Sequence, residues 1–264
     1  MMIEIKYIWF LVFGLMLTAC GGGDGSTVTP DLPKDATTIT EANAYDVAQS
    51  AIAMFAYVHS KSGQREVEEI AARTGDAFSM VFDKAFVDEA HRLQAVASRE
   101  NITEECAFGG STSISYNETS TTYSESVSYN GCDEGYVIYN GSSSYFAKQN
   151  DYTGNYSYSS NASMSYTLDS RTIVIEHNLE GAGNYYDGSY GYAMAYSQSG
   201  EIYNYLFTTT QSFSGVYSDV NSGEILVEGA SNTKLLITVI NTNLAEVYLD
   251  NGSGTLVYLD TISF

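Results

Sequence analysis

Tyr156-Ser157-Tyr158-Ser159-Ser160-Asn161-Ala162-Ser163-Met164-Ser165-Tyr166-Thr167-Leu168 is the stretch that decides how this chain folds. Tyr156, Tyr158, Ala162, Met164, Tyr166 and Leu168 stand on even positions, and Ser157, Ser159, Asn161, Ser163, Ser165 and Thr167 on odd ones. Apolar groups thus fall on one side and hydroxyl groups on the other, the period-two signature of a long strand in an antiparallel sheet with one covered face. Tyr190, Tyr192, Met194 and Tyr196 repeat the device, and so do Tyr123, Val127 and Tyr129 against Ser124, Ser126 and Ser128. Water is given the serines sooner than the methionines, so the tyrosine face is expected inward as core or pocket lining.

The pattern holds from about Cys106 onward, where twenty of the twenty-three tyrosines lie and Lys148, Arg171 and Lys234 are the basic residues. Asn130-Gly131, Asn140-Gly141, Asp187-Gly188 and Asn251-Gly252 supply the positive φ that hairpin turns need. Residues 101–264 therefore read as an antiparallel β-domain, a meander of roughly nine to eleven strands forming an open or partly closed barrel-like sheet.

Upstream the period is 3.6. Thr38 and Glu41 have capping-box spacing, and Ala44, Val47, Ala48, Ala51, Phe55 and Val58 make one apolar stripe to about Ser60. A second helical stretch is expected from Gln64 through Val67, Ile70 and Ala71. A third runs from Asp76 to about Arg99 through Met80, Val81, Phe86, Val87, Ala90 and Leu93. Residues 38–100 are thus expected to be a helical hairpin or three helices packed on the sheet, and the fold class to be α+β.

At the N-terminus an apolar run from Tyr7 to Leu17 is too short for a comfortable bilayer span, which takes about 20 residues, and suits the core of a signal peptide. It ends in Leu17-Thr18-Ala19-Cys20, which resembles the lipobox of bacterial lipoproteins at all four positions. The resemblance implies that residues 1–19 are a signal peptide and that Cys20 becomes a lipidated first residue. Two or more acyl chains then hold the protein to a membrane, each buried CH₂ contributing about 0.8 kcal/mol. Gly21-Gly22-Gly23-Asp24-Gly25-Ser26 opens a tether over residues 20–37. Gly21 is not the Asp that retains such proteins in the inner membrane, so the resemblance favours the outer membrane. The motif Cys106-x-x-Gly109-Gly110 with Asn130-Gly131-Cys132 is similar to that of uncharacterised proteobacterial envelope lipoproteins, and carries no activity with it. With Cys20 lipidated, Cys106 and Cys132 remain, and an oxidising compartment makes them a disulfide across the first β-hairpin.

Eleven Lys and Arg against thirty-two Asp and Glu give a net charge of −21, which repels nucleic acid and anionic headgroups. Phosphate-loop, dinucleotide, Gly-x-Ser-x-Gly and His-Glu-x-x-His patterns do not occur. His59, Asp88 and His91 lack further ligands at metal spacing, and His177 beside Glu176 and Glu180 shows no partner arrangement for catalysis. Asp250-Asn251-Gly252-Ser253-Gly254 reads as a hairpin turn, because Gly252 and Gly254 stand where a calcium loop needs oxygen ligands. No catalytic residue, cofactor or metal is expected.

The leading expectation is an envelope lipoprotein without catalysis that binds or scaffolds a glycan, lipid or envelope protein. The alternatives are a carrier of a lipid or other apolar ligand between sheet and helices, a cryptic hydrolase and an outer-membrane β-barrel. A deep, closed, apolar cavity would mark the carrier, and a cleft with paired carboxylates or a buried His–Ser contact the hydrolase. The chain's end in Phe264 fits a barrel strand, but Asp260 interrupts its alternation, and the tyrosines run through strand middles instead of forming girdles.

Overall fold

A computed structural model describes residues 30–63, 101–168, 170–200, 204–216 and 219–263. Twelve strands form one sheet in sequence order, every neighbouring pair antiparallel. They are β1 (Asn101–Glu105), β2 (Ser111–Glu118), β3 (Thr122–Asp133), β4 (Ile138–Asn150), β5 (Asn155–Leu168) and β6 (Arg171–Asn184). Then follow β7 (Ser189–Ser199), β8 (Leu206–Val216), β9 (Asp219–Glu228), β10 (Lys234–Asn241), β11 (Leu244–Asp250) and β12 (Val257–Ser263). The meander is one to three strands longer than the turn dipeptides suggest. Asn130-Gly131 and Asn140-Gly141 lie inside β3 and β4, where the register shifts between Tyr129 and Cys132. Gly131, at φ +59°, forms a bulge there, its N–H donating to Asn140 Oδ1 at 2.8 Å. Asp187-Gly188 does turn β6 into β7, with Gly188 at φ +71°.

Alternation sorts the side chains. Ala162, Met164, Tyr166, Ile173, Ile175, Leu179, Met194, Tyr196, Ile225, Val227, Leu235 and Ile237 are buried on one face, the inner one. Over β1 to β7 the other face carries mostly serines, threonines, asparagines and carboxylates, whereas over β9 to β12 it carries a row of Leu226, Leu236, Tyr248 and Tyr258. Among the described residues β1 pairs with β2 alone and β12 with β11 alone, so the sheet is open. Charge guards both edges: Glu104 and Glu105 on β1, and Asp260 opposite Val247 on β12, beside a register shift at Val247/Tyr248.

The α+β expectation is corrected. Among the described residues there is one α-helix, α1 (Ala44–Gly63), and no N-terminal helical hairpin. Over the described residues the fold is an antiparallel sheet with a single α-helix. The expected stretches after Gln64 and from Asp76 to Arg99, with Asp88 and His91, lie outside the described residues. Helical periodicity records only which face a helix would bury. Here α1 adds Ala44, Val47, Ala48, Ala51, Ile52 and Met54 to the core on the inner face of the sheet. The side-chain contact ahead of α1 sits two residues later than Thr38 and Glu41: Asn43 Oδ1 reaches back to accept from the Thr40 N–H at 2.7 Å.

Residues 35–39, partly read as tether, are bonded to one end of the sheet. Asp35 Oδ2 accepts from the Gly200 N–H (2.8 Å) and Asn204 Nδ2 (3.0 Å), and Ile39 N–H donates to Thr233 Oγ1 (2.9 Å). Thr37 O accepts from Ala230 N–H at 3.0 Å. This strap aims α1 at the inner face.

Candidate functional site

The outer face over β1 to β5 carries an open groove of about 690 Å³. Register builds it. Thr103, Ser113, Ser128, Ser142 and Ser163 stand abreast on five strands, and Asn101, Ser115, Ser126, Ser144 and Asn161 form the next row. Side chains this short leave the backbone between them within reach, so buried Ile114, Val127 and Ala162 also border the groove although their side chains face the core. Every lining residue is neutral. Asn161 Oδ1 is enclosed and accepts no hydrogen bond within the protein, a deficit worth roughly 1–3 kcal/mol.

The only His–Ser contact among the described residues is on the inner face. His177 Nε2 lies 3.0 Å from Ser160 Oγ, and the two residues are 1% and 3% exposed. A substrate cannot reach a pair so enclosed, and Glu176 points to the outer face, where it accepts from Ser163 Oγ at 3.2 Å. The pair reads as a polar contact locked into the core. Burial lowers the His177 pKa to about 4, from an ordinary value of 6.5. The unfolded chain therefore takes up a proton between pH 6.5 and about 4 that the folded chain refuses, and stability falls with falling pH across that window by about 3 kcal/mol. A Ser160→Ala, His177→Leu double variant should lack this part of the slope. Urea titrations from about pH 7 to 4.5 that gave parent and variant the same pH dependence would refute the assignment.

Beyond the core, towards the β4/β5 and β6/β7 loops, the inner face becomes aromatic. The rows read Tyr123–Ala147–Tyr158–Gly181–Tyr192 and Tyr156–Gly183–Tyr190–Gly215 from strand to strand. The small partners give the rings room to recline: a Cβ on Gly181 would stand 2.2 Å from Tyr158 Cζ. Tyr192 is buried, whereas Tyr156, Tyr158 and Tyr190 are partly exposed, so the inward expectation holds for the first and only in part for the others.

Cys106 and Cys132 are bonded to each other, with Cα atoms 5.3 Å apart. The bridge joins the β1/β2 loop to the end of β3. Phe108 N–H donates to Asp133 O and Asp133 N–H to Gly109 O, both at 2.9 Å. A Cβ on Gly110 would fall 2.0 Å from Gly131 O. The Cys-x-x-Gly-Gly and Asn-Gly-Cys motifs are thus two halves of one stapled contact. Glu134 comes within 4.8 Å of both sulfurs, but a bonded pair offers no thiolate to a metal. Asp250 is a turn residue: its Oδ1 accepts from the N–H groups of Gly252 (2.9 Å) and Gly254 (3.0 Å), which lowers its pKa against the opposing effect of burial. Cys20 lies outside the described residues, as does the side chain of His59.

Sequence reasoning missed the groove and the aromatic rows, since both depend on which strands stand in register. Gly181-Ala182-Gly183, set opposite Tyr-Ser-Tyr and Tyr-Gly-Tyr, was the available signal. Comparison with protein-family models, curated proteins and solved structures finds no match to this chain.

Proposed function

We propose that this chain is a non-catalytic binding protein, anchored in the cell envelope by lipid on Cys20, that takes a neutral, hydroxyl-rich ligand in the groove over β1 to β5. The observation that carries the reading is a groove of this size lined by hydroxyl and amide groups and by no ionisable side chain. The bonded cysteines fit an oxidising compartment, and Leu17 to Cys20 supply the anchor. The other readings gain less. A hydrolase would need the His177–Ser160 pair within a substrate's reach, and a carrier would need the space filled by Ile175, Leu179, Met194 and Ile237. An outer-membrane barrel would need an apolar outer band.

One experiment has two arms. Detergent phase partitioning of the protein made in a Gram-negative host should send the parent to the detergent phase and Cys20→Ala to the aqueous phase. Native gels containing hydroxyethylcellulose, dextran or soluble starch should retard the parent, and Ser142→Glu with Ser163→Glu should cut that retardation at least tenfold. Parent partitioning to water would sink the anchor. Equal retardation of parent and double variant, or none of either, would sink the groove.

A further inference from the structure

The inner face holds a second surface of different chemistry, at the end of the sheet away from the strap. Tyr156 and Tyr158 have ring centroids 6.4 Å apart and planes within 14°, and Tyr190 and Tyr192 are 6.3 Å apart and within 18°. The near-parallel planes within β5 and within β7 have room because small residues stand opposite the rings on the neighbouring strands. Tyr158 reclines across Gly181, Tyr156 across Gly183 and Tyr190 across Gly215. A Cβ added to any of these glycines would come within 2.4 Å of the tyrosine ring or hydroxyl. Gly181 has no positive φ, so its missing side chain serves the ring and not the backbone. The Tyr190 hydroxyl donates to Asp219 O at 2.9 Å, which fixes that ring in place.

The rim continues the surface. Tyr152 is 94% exposed and Tyr186 is 63% exposed, in the two loops that border the rings. The hydroxyls of Tyr185 and Tyr186 both donate to Asp151 O, at 3.0 and 2.6 Å, which holds the two loops together and turns the rings outward. Glu125, on the same inner face two strands from Tyr158, accepts from the Tyr123 hydroxyl at 2.5 Å.

We propose that this shelf, centred on Tyr156, Tyr158 and Tyr190, is a second binding site and takes the apolar face of sugar rings in a neutral glycan. Flat, preoriented rings with a negative π-face attract the C–H face of a pyranose, and rings already held in place lose little entropy on binding. Charge settles the class of glycan. With a net −21 and no Lys or Arg among the shelf residues, an acidic polysaccharide is repelled. The same charge opposes a second copy of this chain as occupant. The site is independent of the outer groove, from which it is separated by the thickness of the sheet.

The test uses the full chain in native gels cast with hydroxyethylcellulose, dextran or starch, with dextran sulfate as the acidic control. The groove variant Ser142→Glu, Ser163→Glu serves as background, so that only the shelf remains to bind. In that background at least one neutral polymer should retard the protein and dextran sulfate should not. Tyr156→Ala with Tyr190→Ala should reduce the retardation at least tenfold. Tyr156→Leu, which keeps apolar area without a flat ring, should also weaken it, and this variant decides the matter should the double alanine variant fail to fold. Gly181→Ala, which lifts the Tyr158 ring, should act in the same direction. The proposal is overturned by a background protein that no neutral polymer retards, by retardation that survives Tyr156→Leu, by stronger retardation in dextran sulfate, or by sedimentation showing a dimer that dissociates in the tyrosine variants.

Discussion

Tyr192→Ala should lower the stability of the fold by about 3–5 kcal/mol, on the order of a 10 °C drop in Tm for a domain of this size. The ring is 2% exposed, stacks on Phe213 with centroids 5.3 Å apart and planes within 11°, and stands opposite Gly181 in the strand register. Glycine has no side chain with which to fill the space that truncation would leave, so the cavity would stay open. Burial also pushes the Tyr192 hydroxyl pKa well above its ordinary value. Tyr192→Phe keeps the ring and should cost no more than about 1.5 kcal/mol. Tyr158→Ala, at a partly exposed position, should lose roughly 1–3 kcal/mol, less than a fully buried ring. Chemical denaturation of the three variants checks the order. A Tyr192→Ala protein with the parent's midpoint would show that the ring is not part of the core.

Loss of the disulfide should have the next largest effect. Cys106 and Cys132 are 26 residues apart, and closing a loop of that length removes unfolded-state entropy equivalent to about 3.5 kcal/mol. The bridge also clamps the β1/β2 loop onto β3, where Gly110 meets the bulge at Gly131. Cys106→Ser with Cys132→Ser should therefore melt earlier than the parent, and reduction of the parent by dithiothreitol should give a similar shift. Replacing both cysteines avoids a stray thiol. Identical denaturation midpoints for the oxidised parent, the reduced parent and the double variant would refute the clamp.

The strands were legible because their alternation is strict over long runs. Tyr156 to Leu168 and Tyr190 to Tyr196 read correctly as to which face is covered, since one face offers Met164 and Met194 to the core and the other offers only small residues. Turn dipeptides were a weaker guide. Asn140-Gly141 has the composition of a hairpin turn yet lies within β4, because a bulge and a turn both require a residue at positive φ. Helical periodicity from Ala44 to Ala51 located α1, but the step from periodicity to a helical hairpin failed. A stripe records what a helix could bury and not whether the rest of the chain leaves a face for it.

The sequence by itself determined the long antiparallel strands, the inward side of the tyrosines in the core and the acidic composition. These follow from composition and from contacts between near neighbours in the chain. Only the tertiary structure decided that Ser160 meets His177, that five strands line up their serines and asparagines into one groove, and that glycines 181, 183 and 215 stand beneath tyrosine rings. Each of those facts depends on strand register. In an antiparallel sheet a slip of one residue exchanges the two faces of a strand, and a slip of two brings new partners opposite each other without altering the alternation that the sequence displays.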